Sequence, residues 1–307
     1  MISYVVTLYN KARYLPQVVA ALAQQQGDFA REFIFVDDGS ADDTLALLRG
    51  LTTDLPNTTI LTQPNQGPAV ALNTGLGAAK GSLIKPMDGD DVLLPWATTW
   101  LLEALAATGA HAACSVPEDQ WEYPVGATIP PWPTPPLPAA QPQDLLPQSL
   151  RRAQTMPSVW LLRREALEAC GGCDLAVFIQ DYSLELRLAA LGPVAMLHAP
   201  LVAFPAEAPG RLSDNQAQTL HDVNLAALRF LAANPALPPR LRQLVLKRAT
   251  ARAYAWAVRR GAPLLAPGLL LRRLCANAGV LPGFAGNQVA LTAPFRATHP
   301  IRPGAGG

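Results

Sequence analysis

Short apolar runs alternate with amphipathic stretches over the first hundred residues of the chain. Three compact runs that predict strands lie at 2–8, 32–36 and 58–62. Apolar residues at helical spacing follow the first run, at Leu15, Val18, Val19 and Leu22. Ser40, with Asp43 three residues later, has the form of an N-terminal capping box and predicts a helix over 41–51. This alternation of strand and helix predicts an α/β fold with a mostly parallel sheet flanked by helices.

Acidic residues follow several of the predicted strands. Asp37 and Asp38 end the second run, and three carboxylates fall within 88–91, after the apolar run at 82–84. Because the carboxyl ends of strands in an open α/β sheet form its ligand-binding edge, we expect these acids to share a pocket. Three carboxylates so close repel one another unless a cation lies between them, and Mg²⁺ or Mn²⁺ would supply that charge. An acidic surface turn is the alternative interpretation.

The middle and the end of the chain differ from this alternating part. Eleven of the 30 prolines fall within 117–157, which predicts a long loop. Amphipathic helices are predicted after residue 214, and the Pro- and Gly-rich sequence from 282 predicts an irregular tail. We therefore expect an α/β domain at 1–213, a basic helical C-terminal region at 214–281 and an irregular tail at 282–307.

Composition narrows the partners of the chain. Half of its 307 residues are hydrophobic, which indicates a globular protein, and the formal net charge of +1 argues against a nucleic-acid partner. From Asp214 onward, twelve Lys and Arg residues stand against two acids, giving +10, while the rest of the chain carries −9. Contact with anionic lipid is one explanation of this basic region, and neutralisation of the acidic part is the other.

The sequence also bears on location. No secretory signal and no run long enough to cross a membrane is evident, so we expect a cytoplasmic protein. A peripheral contact at the inner face of the membrane, made by the basic C-terminal helices, is left open. The basic residues concerned are Arg240, Arg242, Lys247, Arg248, Arg252, Arg259 and Arg260.

Several motifs occur in order between Ile2 and Phe204. They are Val5-Val6-Thr7-Leu8-Tyr9-Asn10-Lys11, Phe35-Val36-Asp37-Asp38-Gly39-Ser40, Asn65-Gln66-Gly67-Pro68-Ala69, Asn73-Thr74-Gly75-Leu76, Met87-Asp88-Gly89-Asp90-Asp91 and Gln180-Asp181-Tyr182. In these motifs the chain resembles the family 2 glycosyltransferases. That resemblance implies the GT-A fold, a Rossmann-like nucleotide-binding arrangement, and it does not cover the C-terminal helical extension.

The resemblance implies a nucleotide-sugar donor, with UDP, GDP or dTDP as its nucleotide. The donor contacts that it implies are Thr7, Tyr9, Asp37, Asp38, Asn65, Gly67, Asn73 and Asp88. Asp90, together with Asp88, is implied to hold a Mn²⁺ or Mg²⁺ ion that bridges the diphosphate. For Asp37, bracing of its loop is an alternative, and for Gly67 and Asn73 the alternative is turn and helix chemistry.

The resemblance also implies an inverting single displacement with Asp181 as general base. Asp181 would accept the proton of an acceptor hydroxyl as that oxygen attacks the anomeric carbon. The alternative is that Asp181 only caps its helix. Gln180 stands where the family carries Glu, and Leu72 stands where many members carry Arg, so a phosphate contact is missing or supplied elsewhere. The acceptor is expected to be a glycan, a lipid-linked sugar or a polysaccharide precursor.

Two other functions compete with sugar transfer. The departures at Leu72 and Gln180 also suit a catalytically degenerate family member that binds nucleotide or glycan without turnover. A nucleotidyltransferase would share the α/β layout and the metal carboxylates. However, no Gly-rich loop containing Lys or Arg follows the first predicted strand, which disfavours that function.

Overall fold

The computed structural model of the chain describes residues 1–116, 121–129, 131–208, 214–280 and 284–305. Its strands are β1 (Ile2–Leu8), β2 (Arg31–Asp37), β3 (Thr58–Thr62), β4 (Leu83–Asp88), β5 (Val92–Leu93), β6 (Ala112–Ser115), β7 (Trp121–Tyr123), β8 (Gln141–Gln143), β9 (Trp160–Arg163), β10 (Val194–Leu197) and β11 (Val202–Pro205). Its helices are α1 (Leu15–Ala23), α2 (Thr44–Leu51), α3 (Pro68–Ala78), α4 (Ala97–Thr108), α5 (Leu146–Ser149), α6 (Arg164–Cys170), α7 (Asp181–Ala189), α8 (Gln216–Ala233), α9 (Pro239–Arg259), α10 (Ala266–Ala278) and α11 (Phe284–Thr298).

An eight-stranded sheet lies at the centre of the described residues, in the order β3-β2-β1-β4-β9-β6-β10-β8. β1, β2, β3 and β4 run parallel, as their alternation with helices predicts. β9 runs antiparallel to both of its neighbours, β4 and β6, and thus separates two parallel groups. A smaller sheet has the order β5-β11-β7. The predicted α/β class, with a large central sheet flanked by helices, is confirmed, whereas the sheet is mixed, parallel from β3 to β4 and between β6 and β10 and antiparallel at β9 and β8.

The position of β1 explains why its sequence is apolar almost throughout. Every residue from Ile2 to Leu8 is buried, and one hydrophobic core joins β1 to residues of α1, α3 and α4. A strand covered on both faces has no solvated side and needs no alternation of polar residues. Its register aligns Thr7 with Asp88 on β4, and Leu8 with Asp37 on β2. The carboxyl ends of these three strands therefore meet at one edge of the sheet.

The C-terminal helices pack against the sheet domain through α7. Apolar residues shared by α7, α8 and α9 form one cluster, which contains Tyr182, Leu186, Ala226, Phe230 and Val245. A further cluster joins α8, α9, α10 and α11 through Leu228, Ala249, Leu269 and Leu291. The predicted boundary at 213/214 adjoins residues 209–213, which lie outside the described residues. None of the helices in the described ranges is long and apolar enough to cross a membrane.

The structure corrects two predictions of local structure. The predicted irregular tail is wrong for Phe284–Thr298, which form α11 even though Pro294 lies inside it. Leu291 and Phe295 are fully buried, and α11 packs on α8 and α9, so tertiary packing outweighs the poor helix propensity of this sequence. The helix predicted over 41–51 begins only at Thr44, because Ser40 Oγ accepts the backbone N–H of Asn10 instead of capping it.

The Pro-rich segment is partly regular. Residues 117–120 and 130 lie outside the described residues. The remainder contains the short strands β7 and β8 and the single helical turn α5, joined by stretches without regular structure. β7 joins the smaller sheet and β8 extends the larger one at its edge, where proline is tolerated. The prediction of a long loop therefore holds only between these short elements.

Candidate active site

A cleft of about 560 Å³ opens where β1, β2 and β4 end. The residue stretch that leads into α7 forms another wall of the cleft, with Phe178, Ile179, Gln180 and Asp181. Eight of the ten site residues named from the sequence line this cleft, namely Thr7, Tyr9, Asp38, Asn65, Gly67, Asp88, Asp90 and Asp181. The structure therefore brings together acids that are separated by as many as 143 positions in the sequence.

Asp38 holds the loop that forms one side of the cleft. Its Oδ1 accepts hydrogen bonds from Gln63 Nε2 at 2.8 Å and from the backbone N–H of Gln66 at 2.9 Å. Its Oδ2 accepts from the backbone N–H of Gly67 at 2.8 Å. These bonds fix the segment containing Asn65, which also lines the cleft, so Asp38 shapes this side of the cleft.

Asp37 and Asn73 do not line the cleft. Asp37 is 3% exposed, and its Oδ2 accepts the backbone N–H of Ser40 at 3.4 Å. The amide of Asn73 bonds twice to Cys173, accepting from its N–H at 2.9 Å and donating to its carbonyl at 3.1 Å. Both contacts correspond to the alternatives named from the sequence, a loop brace for Asp37 and turn chemistry for Asn73.

The acidic loop after β4 is pressed against the end of β1. A Cβ placed on Gly89 would lie 2.3 Å from Leu8 Cδ2 and 2.7 Å from the carbonyl oxygen of Thr7. Only glycine lets the backbone approach so closely. The loop is held further by the hydroxyl of Tyr123, which donates to the carbonyl of Asp90 at 2.8 Å. This packing fixes the direction in which the Asp88 and Asp90 side chains leave the backbone.

Two lysines lie close to these carboxylates. Lys11 Nζ forms an ion pair with Asp90 Oδ2 at 2.6 Å inside the cleft. Lys85 is completely buried beneath the loop, where its ammonium donates to the carbonyls of Ser158 and Pro86. Burial lowers the pKa of Lys85 to about 7, against the opposing attraction of nearby aspartates. Lys11 therefore supplies the charge that faces the ligand space, and Lys85 lies behind the loop.

The carboxylates of the cleft are hard to ionise together. Burial, reinforced by the charge of Asp90, raises the pKa of Asp88 to about 6. Burial and the neighbouring acids raise the pKa of Asp91 well above its usual range. Burial, with the charge of Asp88, does the same to the pKa of Asp181. A site of this kind favours any ligand or ion that brings positive charge to it.

Asp181 and Gln180 enter the cleft from the start of α7. Gln180 Nε2 donates to Asp88 Oδ1 at 3.0 Å, a bond that an ionised glutamate could not make. Gln180 Oε1 and Asp181 Oδ1 are buried and have no hydrogen-bond partner among the described residues. Buried oxygens without a partner are unfavourable unless a ligand completes them, so both point to an occupant of the cleft.

Asp88 and Asp90 are the described carboxylates that fit a divalent cation. Mg²⁺ and Mn²⁺ need only one or two protein carboxylates when waters and substrate phosphates fill their other positions. Burial and the charge of Asp90 raise the pKa of Asp88, and Gln180 Oε1 has no donor among the described residues, so a bound cation would offset charge here and an ordered group could complete Gln180. Within the described ranges, no group of three or more His, Cys, Asp or Glu residues is placed to hold a metal by itself.

A buried aspartate in α8 positions the wall that carries Asp181. Asp222 Oδ2 accepts the backbone N–H groups of Phe178 at 3.1 Å and Ile179 at 3.0 Å. Its Oδ1 bonds His221 Nδ1 at 2.8 Å, and His221 Nε2 lies 2.9 Å from the Nε donor of Arg296 on α11. The nitrogen facing Arg296 must accept, so His221 carries its hydrogen on Nδ1. The C-terminal helices thus hold the segment just before Gln180.

Sequence reasoning missed four residues of this arrangement, Lys11, Phe178, Asp222 and Arg302. Lys11 lies in a recognised motif, and its charge beside an acidic loop was the available signal. Asp222 is one of only two acids in a strongly basic region, which singles it out in retrospect. Nothing local marks Arg302, which reaches the cleft from five residues before the end of the chain.

The fold is similar to that of solved GT-A glycosyltransferases. The crystal structure of S. aureus TarS 1-349 matches with a TM-score of 0.62 at 15% identity, covering 97% of this chain and 92% of that chain. The mannosyltransferase PcManGT from Pyrobaculum calidifontis, in complex with GDP-Man and Mn²⁺, matches with a TM-score of 0.55 at 19% identity, covering 96% and 86%. At these identities the likeness shows the fold alone.

The sequence assigns the chain to a family. The family model described as glycosyl transferase family 2 matches residues 3–170, more than half of the chain, and the chain therefore belongs to that family. The succinoglycan biosynthesis protein ExoO of Rhizobium meliloti is 35% identical over 112 residues, 36% of this chain and 32% of that protein. The chondroitin synthase of Pasteurella multocida is 36% identical over 96 residues, 31% of this chain and 10% of that protein. The chain thus matches a third or less of the length of these curated relatives.

Proposed function

We propose that this chain transfers a sugar from a nucleotide-diphosphate donor to an acceptor hydroxyl, with inversion at the anomeric carbon. One observation carries the proposal. Asp38, Asp88, Asp90 and Asp181 line a single cleft at the carboxyl edge of the sheet, in a chain that belongs to glycosyl transferase family 2. In this proposal a nucleotide would bind at this edge of the sheet, and the acids would supply the chemistry.

The donor is a UDP-, GDP- or dTDP-sugar in this proposal. Thr7, Tyr9 and Asp38 line the end of the cleft formed by β1 and β2, which suits the base, and Asn65 and Gly67 beside them suit the ribose and diphosphate. Fold neighbours are described in complexes with UDP-GlcNAc and with GDP-Man, which supports a nucleotide-sugar but leaves its identity open. The assay must therefore include several donors.

Asp88 and Asp90 would hold a Mn²⁺ or Mg²⁺ ion. When bound, such an ion acts as a Lewis acid that stabilises the negative charge of a departing diphosphate. The two carboxylates that would bind the ion lie in one cleft, and Gln180 stands beside them in place of a third acid. Lys11, which pairs with Asp90 in the structure, would share or release that carboxylate.

Asp181 is the proposed general base. Asp181 lines the cleft, and its buried Oδ1 has no hydrogen-bond partner among the described residues, so no protein donor competes for that oxygen. The raised pKa of Asp181 suits proton transfer, because a more basic carboxylate takes a proton more readily. Phe178 and Ile179, bonded to Asp222, hold the segment that leads to Asp181, in the cleft that Asp88 and Asp90 also line.

The competing proposal is a family member that binds nucleotide or glycan without turnover. This alternative is motivated by Gln180 and Leu72, two positions at which the sequence departs from the pattern of the family. Gln180 makes a specific bond to Asp88, and both proposed catalytic functions, metal binding and proton transfer, keep their carboxylates in the cleft. These observations favour the transferase.

The deciding experiment incubates the full chain with UDP-glucose, UDP-GlcNAc, GDP-mannose and dTDP-glucose, each with Mn²⁺, and measures released nucleoside diphosphate. Release that is lost with EDTA and restored by Mn²⁺ or Mg²⁺ supports the proposal. The variants Asp90→Asn and Asp181→Asn should lose it, whereas Asp54→Asn, at an exposed site after α2, should not. Binding of a diphosphate without release from any donor would support the non-catalytic alternative. Release of pyrophosphate from a nucleoside triphosphate would instead indicate a nucleotidyltransferase.

The acceptor is proposed to be a glycan, a lipid-linked sugar or a polysaccharide precursor. The names of the relatives include succinoglycan biosynthesis and chondroitin synthesis, which supports a saccharide acceptor. Donor turnover measured with and without short oligosaccharide acceptors tests this class. An acceleration that depends on the oligosaccharide is the expected result.

A peripheral membrane contact is proposed for the region of α10. Leu264, Leu271 and Leu274 are 95%, 63% and 57% exposed, in a region of the chain that carries +10. Exposed leucines beside arginines are complementary to an anionic lipid surface. Arg252 is engaged instead with Asn224, so it contributes less than the sequence suggested. More protein should co-sediment with phosphatidylglycerol vesicles than with phosphatidylcholine vesicles. A Leu271→Ser/Leu274→Ser variant should co-sediment less. Co-sedimentation that does not depend on anionic lipid would contradict the contact.

A further inference from the structure

The C-terminal segment, residues 299–305, folds back from α11 onto the candidate active site. Gln218 of α8, which is 1% exposed, binds the backbone of Arg302 on both sides. The N–H of Arg302 donates to Gln218 Oε1 at 2.8 Å, and its carbonyl accepts from Gln218 Nε2 at 3.1 Å. A buried amide that matches both backbone groups fixes the segment at this residue.

Packing holds the segment on either side of Arg302. Ile301 lies against a cluster that contains Trp256 and Phe295. Gly304 is buried against the loop before α7, where an added Cβ would lie 2.3 Å from the carbonyl oxygen of Leu175. The backbone can approach that loop only because residue 304 has no side chain. The docked position of the segment is thus specified by its own sequence.

The side chain of Arg302 extends to the rim of the cleft and stays exposed. Its Nη2 donates to Asn65 Oδ1 at 2.5 Å, and its guanidinium carbon lies 4.1 Å from the centre of the Phe178 ring. One contact is with a neutral amide and the other with an aromatic face. No carboxylate among the described residues forms an ion pair with it, so its charge remains available to a ligand.

The guanidinium of Arg302 is a cation in a cleft whose charged residues are mostly acidic. Of the residues that line the cleft, Lys11 and Arg302 are the basic ones, and Lys11 is bonded to Asp90. α3, which borders the cleft, supplies no cation, since Leu72 is 1% exposed and lies in the core. A nucleotide diphosphate brings negative charge into a cleft rich in carboxylates and needs a cation to offset it. Arginine suits this role because its planar fork matches phosphate oxygens.

We propose that Arg302 is a donor-binding residue, contributed by the C-terminal segment, whose guanidinium binds the diphosphate of the nucleotide-sugar. The inference rests on the proposed function, because it needs that donor in the cleft. Asn65 and Phe178 orient the guanidinium, and Gln218 fixes its backbone. The segment thereby forms part of the wall of the donor site.

The test measures binding by titration calorimetry of the full chain with UDP, GDP and dTDP, each with Mn²⁺. The preferred nucleotide is then compared with its monophosphate, by competition where direct binding is weak. Arg302→Gln should lower diphosphate affinity about tenfold or more and narrow the preference for diphosphate over monophosphate, since a charge-assisted contact is lost. Arg302→Lys should keep part of the affinity. Gln218→Ala should reproduce the loss of affinity by releasing the segment.

The controls separate this inference from the proposed function. Arg49→Ala, at an exposed position of α2, should bind like the wild type, and thermal unfolding should show that every variant is folded. If the wild type binds none of the three diphosphates, the proposed function fails. If the wild type binds but Arg302→Gln binds equally well, only the inference is overturned. An equal loss for diphosphate and monophosphate would also overturn it, because Arg302 would then only pack against the site.

Discussion

Removing the carboxylate of Asp222 tests how the C-terminal helices hold the active-site wall. Asp222 is 4% exposed and accepts four hydrogen bonds, from the backbones of Phe178 and Ile179 and from the side chains of Gln218 and His221. Asp222→Ala leaves these donors without their acceptor. Nothing replaces the acceptor unless water enters the gap.

The expected cost follows from these contacts. A buried donor without a partner costs about 1–3 kcal/mol, and breaking one side of a buried charged network costs about 3–5 kcal/mol. The two backbone N–H groups cannot turn toward solvent without moving the segment that leads to Asp181. We therefore expect Asp222→Ala to lower the free energy of unfolding by about 3–5 kcal/mol. Asp222→Asn should cost less, because one oxygen can still accept the backbone N–H groups while its amide faces the Nδ1–H of His221.

Urea unfolding, followed by tryptophan fluorescence, measures this difference as a shift of the midpoint. Asp214→Ala is the matched control, because Asp214 is exposed near the start of the same helix and should change stability by no more than about 0.5 kcal/mol. Sugar-nucleotide turnover of folded Asp222→Ala should also fall, since a shift of about 1 Å at a catalytic group can cost about 10²-fold in rate. A variant with wild-type stability and full turnover would refute the assignment of Asp222 as the residue that positions this wall.

Three further changes have definite expected outcomes. Asp181→Asn should lower kcat about 10²- to 10⁴-fold while the protein stays folded. Burial and the charge of Asp88 raise the pKa of Asp181, so the acid limb of the wild-type pH profile of kcat/KM should lie above the range of an ordinary carboxyl group. Burial raises the pKa of Glu185 above its value in the unfolded chain, so the protonated carboxyl group stabilises the fold at low pH. That contribution is lost as the pH rises through the folded-state pKa. Over this pH range the urea midpoint of Glu185→Gln should therefore decline less than that of the wild type. Gly89→Ala forces a Cβ to within 2.3 Å of a leucine carbon on β1 and should cost about 1–3 kcal/mol in urea unfolding, whereas Gly50→Ala, with no neighbouring atom within 4 Å, should not destabilise the fold.

The sheet and the acidic edge could be predicted because local patterns specify them. The run Ile2–Leu8 is buried on both faces, and its apolar sequence reports that burial directly. The acids after β2 and β4 follow strands of the same direction, so their convergence was a consequence of topology. Eight of ten predicted site residues line one cleft, and of these Asp181 reaches it from the start of α7 rather than from a strand end. The roles assigned to them remain predictions until the variants are measured.

Other features depend on contacts between distant parts of the chain, which spacing does not reveal. β9 pairs antiparallel with β4 and β6, although its short apolar run looks like that of any buried strand. α11 contains both a proline and a glycine. It forms because Leu291 and Phe295 are buried where α11 packs against other helices. Local propensity disfavours that helix, and only tertiary packing can stabilise it.

The same long-range contacts bear on how the chain is divided. The predicted boundary at 213/214 separates two compositions, but α8 bonds the site segment through Asp222 and the C-terminal segment through Gln218. A chain ended at residue 213 would leave the N–H groups of Phe178 and Ile179 without an acceptor and would uncover the apolar face of α7 that α8 and α9 cover. We infer that the helical region is part of the folding unit that forms the candidate active site, and that it completes this cleft from outside residues 3–170, the segment matched by the family model.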